Sequence, residues 1–97
     1  MTSVVIKSST NKDKKLMAIF SQDGKKIKTT HFGAKGYKDY TLTGDEEKRK
    51  LYLARHAKRE NWNDYKSSGS LSRFLLWGDS RSLQSNIASY KRKFNLK

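Results

Sequence analysis

Apolar and polar positions alternate with a period of two over the first third of the chain. Val4, Ile6 and Ser8 fall on one side of a first predicted strand, residues 3–9, and Val5, Lys7 and Ser9 on the other. After the polar run Ser9-Thr10-Asn11-Lys12-Asp13-Lys14, a second strand is predicted over 15–21. Leu16, Ala18 and Phe20 share one side of it, Met17 and Ile19 the other. A strand apolar on both sides belongs in the middle of a sheet, with at least one face under helix. Asp23-Gly24 then supplies a tight hairpin turn, because both residues accept positive φ. A third strand returns over 25–32, with Ile27, Thr29 and His31 on one face and Lys26, Lys28 and Thr30 on the other.

The period then lengthens. Residues 33–44 read as a connector, with Gly33 and Gly36 to turn the chain and Tyr37 and Tyr40 to pack. Thr43, followed three positions later by Glu46, has the spacing of a capping box, so a helix is predicted from about Asp45. Its expected inner stripe is Leu51, Ala54 and either Leu53 or Tyr52; Arg49, Arg55, Lys58 and Arg59 crowd its outer face and C-terminal end. A second, short apolar helix is expected between a Ser70 cap and Gly78, with Leu71, Phe74, Leu75 and Trp77 as the heart of the core. Leu83, Ile87, Tyr90 and Phe94, at intervals of four, three and four, predict a third amphipathic helix with Lys91, Arg92 and Lys93 in its last turn. The fold class is therefore α+β: one domain over residues 1–97, with strands in 3–32, a connector in 33–44 and a helical half in 45–94 packed on a small antiparallel sheet.

Composition narrows the class of partner. Twenty-two Lys and Arg against nine acids leave a net charge of +13, which attracts polyanions. The excess is spread along the whole chain, so a binding surface has to be assembled by folding. There is no cysteine, hence no disulfide and no thiolate metal site. The apolar run after Met1 is too short for a signal peptide or a membrane span. A protein that is not secreted and does not insert into a membrane is expected.

Three blocks carry a resemblance: His31 to Thr41 (HFGAKGYKDYT), Arg55 to Tyr65 (RHAKRENWNDY) and Gly69 to Phe94 (GSLSRFLLWGDSRSLQSNIASYKRKF). Together they resemble a family of small basic proteins encoded by large DNA viruses of algae and protists. That family shows a His-Phe-Gly block, an Arg-His-x-x-Arg-Glu-Asn-Trp block and a Leu-Ser-Arg-x-x-Leu-Trp block. Where members often carry proline after Asn-Trp-Asn-Asp, this chain has Tyr65, and it has no proline at all. The resemblance implies a viral origin and brings no activity with it. It implies a location in the virion interior, or in the host nucleus or cytoplasm during infection.

Candidate chemistry is sparse. Gly33-Ala34-Lys35-Gly36 lacks the spacing of a P-loop, and Asp45, Glu46 and Glu47 sit at the helix start where an anion would have to bind. His31, His56, Asp39 and Asp64 have no paired metal-ligand spacing. No serine stands in a nucleophile elbow. Glu60 and Asp64 are expected to pair with Arg55 and Arg59, and Trp62 to anchor the helices. The expectation is a protein without enzymatic activity or cofactor that binds nucleic acid, duplex DNA before RNA, with little regard to sequence. Its expected contacts are Lys26 and Lys28 on the third strand; Lys48, Arg49, Arg55, Lys58 and Arg59 on the first helix; and Lys91, Arg92 and Lys93 on the last. The alternative is a structural virion protein that docks acidic viral proteins. The free edge of a three-stranded sheet offers a route to a homodimer.

Overall fold

A computed structural model describes all 97 residues. Strands β1 (Thr2–Ser8), β2 (Lys14–Gln22) and β3 (Lys25–Ala34) form an antiparallel meander in that order, with β2 in the centre. Four helices follow. They are α1 (Tyr40–Thr43), α2 (Glu46–Ala57), α3 (Ser68–Leu71) and α4 (Leu83–Lys93), and α3 runs on into a π-helical stretch, Ser72–Leu76. The α+β class and the three-stranded antiparallel sheet stand as expected. The single-turn α1 lies inside the segment read as a plain connector.

Leu16, Ala18 and Phe20 do share a face, and it is the face under the helices. Val4 and Ile6 flank them on β1, Thr30 and Phe32 on β3. Against this row pack Leu71, Leu75 and Leu76, with Tyr90 from α4. Leu76, absent from the expected core list, is buried, whereas Phe74 and Trp77 are only half-buried. The far face, with Val5, Met17 and Ile19, carries no helix, and Val5 is 49% exposed.

The Asp23-Gly24 turn forms as predicted, with φ of 51° and 85° at its two residues. Immediately beside it the register slips: Lys28 stands opposite Phe20, but Lys26 stands opposite Ser21. Directly paired residues point to the same side of a sheet. The bulge therefore sends Lys26 and Lys28 to opposite faces, where unbroken alternation put them on one.

Helix starts differ in detail from the sequence expectation. Asp45, not Thr43, caps α2, and its carboxylate accepts the Lys48 N–H at 3.2 Å. The Thr43 hydroxyl instead accepts the Asp45 N–H at 3.1 Å. α3 is capped by Ser67, not Ser70; the Ser70 hydroxyl is buried and donates to the Asn61 carbonyl. The inner stripe of α2 is also displaced. Leu51 and Ala54 are exposed, and the half-buried side is Arg49, Tyr52, Leu53 and His56. No residue of α2 is fully buried. Too few apolar side chains lie on any one side to sink it into the core, so an aromatic stack and an arginine dock it instead.

The edge of β1 is partly occupied. Val4 N–H donates to the Lys97 carbonyl at 2.8 Å, and Lys97 N–H returns to Thr2 at 3.0 Å. No helix is long and apolar enough to cross a membrane.

Candidate functional site

The segment between the sheet and α2 is both a joint and a wall. Gly33 has φ of 78°, and a β-carbon there would stand 2.7 Å from Cδ1 of Leu76, so any other residue would meet backbone strain and push the Leu76 side chain aside. Gly36, with φ of 89°, turns the strand end back, and Tyr37 emerges into solvent. Asp39 is then drawn inward to 3% exposure. One carboxylate oxygen takes the Lys15 ammonium at 2.7 Å, and the other accepts the Thr41 N–H at 3.0 Å and the Thr41 hydroxyl, capping α1. This buried pair locks the connector to β2.

Between this wall and α2 lies an open cleft of about 690 Å³. α2 presents Lys48, Leu51, Tyr52, Arg55 and His56 to it, an i, i+3, i+4, i+7, i+8 set that shares one helical face. Lys14, Lys15 and Lys38 enter from the other side. The floor includes Leu76 and Trp77. Five lysines and arginines therefore meet only two carboxylates, Asp39 and Glu60, and both carboxylates are engaged. Glu60 bridges His56 Nδ1 and the Trp62 indole N–H, each at 2.9 Å. It forms no ion pair with Arg55 or Arg59, and neither does Asp64.

An aromatic stack stiffens the α2 wall. The Tyr52 ring lies between His56, at 4.1 Å, and Trp77, at 4.3 Å and only 5° from parallel. Burial, and secondarily the Glu60 charge, pushes the Tyr52 phenol up to about 12. Behind the stack Arg49 donates from Nε to the Gly78 carbonyl at 2.9 Å, and its guanidinium meets Asp79 at 2.6 Å and Glu46 at 3.2 Å. Arg73 lies over the Trp62 and Phe74 rings at 5.1 and 5.0 Å. Desolvation, with the Arg49 charge second, lowers its pKa.

The ten cations nominated from sequence thus separate by environment. Lys48 and Arg55 line the cleft. Lys58 and Arg59 are exposed just past the end of α2, and Lys26 and Lys28 are exposed on opposite faces of β3. Lys91 is half-buried, Arg92 bonds the Ser89 hydroxyl, and Lys93 lies over the Phe74 and Phe94 rings. Arg49 is held inside the fold, with 13% of its side chain exposed. Lys14, Lys15 and Lys38, which lie outside the set expected from sequence, line the cleft as well; the only sequence signal for Lys38 is its place between Tyr37 and Asp39 in the connector. His31 bonds the Ser9 hydroxyl at 2.7 Å, apart from the His56–Glu60 pair. No group of three or more His, Asp or Glu residues is placed to hold a metal ion.

A model for a family of unknown function (DUF5754) matches residues 4–56, more than half of the chain, and the chain belongs to that family. The matched span holds all of the sheet but the first two residues of β1, the connector and nearly all of α2, and so most of the cleft. No curated protein and no solved structure matches.

Proposed function

We propose that this member of the DUF5754 family is a nucleic-acid-binding protein that grips the phosphate backbone, without catalysis and with little regard to sequence. The observation that carries the reading is how the charge is used. Of 22 lysines and arginines, only Lys15 and Arg49 stand in ion pairs. The carboxylates, by contrast, are largely taken up in caps and pairs: Asp23, Asp39, Asp45, Glu46, Glu60 and Asp79 all have partners within the chain. The fold leaves its positive charge unmatched, and self-repulsion of that size is relieved by a polyanion. The resemblance of the His31–Thr41, Arg55–Tyr65 and Gly69–Phe94 blocks to small basic proteins of large DNA viruses is the ground for taking viral DNA as that polyanion, during packaging, compaction or replication.

Binding of this kind releases counterions. Neutralising about six phosphates gives a slope near −5 when the logarithm of the affinity for duplex DNA is plotted against that of salt concentration. Affinity that stays constant from about 50 to about 300 mM salt would sink the proposal.

A second reading, a virion component whose basic surface docks acidic viral proteins, draws on the uncovered sheet face, where exposed Lys7 stands opposite Met17 and exposed Lys26 opposite Ser21. It is favoured if duplex DNA fails to displace a purified viral partner.

A further inference from the structure

The cleft has features that a purely electrostatic grip on a duplex leaves unexplained. Its volume, about 690 Å³, lies within the range of sites that enclose a small organic molecule, on the order of 300–1,000 Å³. Two of the chain's exposed large apolar side chains line it: Tyr37 at 75% exposure and Leu51 at 57%. In a chain with only 34% apolar residues and a modest core, leaving both in water is costly. Around them lie Lys14, Lys38, Lys48 and Arg55, none in an ion pair. Along α2 the order is charge, apolar, aromatic, charge, with Lys48 and Arg55 about 10 Å apart along the axis. Of the two carboxylates of the cleft, Asp39 is paired with the Lys15 ammonium, and Glu60 is hydrogen-bonded to His56 Nδ1 and the Trp62 indole.

We propose that this cleft holds an unpaired nucleotide of a single strand, its base against Tyr37 and Leu51 and its phosphates on Lys38, Lys48 and Arg55. The proposal rests on the reading of the protein as a nucleic-acid binder. In a duplex both faces of every base are covered by their neighbours, and an aromatic ring in a concavity cannot reach them. An unpaired base offers its face, and stacking on an aromatic side chain is tolerant of sequence because every base has one. Both faces of Tyr52 are already covered by His56 and Trp77, so the free platform is Tyr37. The Tyr52 stack and the Lys15–Asp39 pair hold the two walls in place before the strand arrives, which lowers the ordering cost of binding.

The test compares the whole protein with its Tyr37→Ala, Tyr37→Trp and Leu51→Ala variants. Each is titrated with oligo-thymidine, oligo-uridine and a mixed-sequence duplex at low and at high salt, about 50 and about 300 mM. Both side chains are exposed, so folding survives, and a circular dichroism melt confirms it. Tyr37→Ala is expected to weaken single-strand binding roughly tenfold while duplex binding holds, and Tyr37→Trp to retain it. Tight binding of either strand with that dependence supports the proposal; a thymidine or uridine preference identifies the strand's chemistry. If Tyr37→Ala and Leu51→Ala leave single-strand affinity unchanged while salt-sensitive duplex binding persists, the cleft proposal falls and the nucleic-acid reading stands. Absence of binding to all three probes at low salt overturns both.

Discussion

The phenol ring of Tyr52 lies 4.3 Å from the indole of Trp77, with their planes 5° apart. This contact joins a helix with no fully buried residue to the helical core. Tyr52→Ala is expected to lower stability by about 2 kcal/mol, less than full burial would cost and more than a surface change. Tyr52→Leu, which keeps bulk without the stack, should recover part of it. Urea unfolding midpoints check both; a Tyr52→Ala protein as stable as the parent would mean α2 is docked by other contacts.

The same phenol makes an alkaline prediction. An unfolded tyrosine ionises near 10, and folded Tyr52 keeps its proton to about 12. Between those values the folded state binds more protons than the unfolded state. Stability is therefore whole below pH 10 and falls as pH rises toward 12. Tyr90, raised chiefly by burial, acts with the same sign. Relative to the parent, Tyr52→Phe should flatten the loss across this window and change little at neutral pH. Identical alkaline profiles for the two proteins would refute the assignment.

Gly33 and Gly36 both have positive φ, but only Gly33 is hemmed in. Gly36→Ala meets open space and should cost about 1 kcal/mol from the backbone alone. Gly33→Ala also drives a methyl group into Leu76 and should cost a further 1–3 kcal/mol or so. Thermal melts of the two variants should differ in that order, and the reverse order would contradict the close approach.

Arg49 and the two cations past the end of α2 separate structure from binding. Arg49→Ala removes bonds to the Gly78 carbonyl, Asp79 and Glu46, and should destabilise by about 2 kcal/mol. Arg49→Lys keeps the charge but loses the fork, and should recover only part of that. Replacing both Lys58 and Arg59 with Gln should leave the melting temperature alone and reduce the salt slope for duplex DNA by about 2. An unchanged slope would remove the end of α2 from the interface.

Local signals made most of the fold legible in advance. Alternation placed the three strands, Asp23-Gly24 placed the hairpin, and the Leu83–Phe94 spacing placed α4, because each depends on residues within a few positions of one another. Where several local rules competed, as at Thr43, Asp45 and Ser70, the helix was found but not its cap. The displaced stripe on α2 has a different cause. Leu51 is as apolar as any core residue, and nothing near it in sequence reveals that the partner of this helix is Trp77.

Sequence by itself determined the α+β class and the large positive charge, since periodicity and composition are properties of the chain alone. Only the tertiary structure decided which charges are free. Arg49 finds Asp79 thirty residues away, a bulge parts Lys26 from Lys28, and a buried Lys15–Asp39 pair swings Tyr37 and Lys38 toward α2. Such pairings depend on distance in space between segments far apart in the chain, and no local pattern encodes that distance.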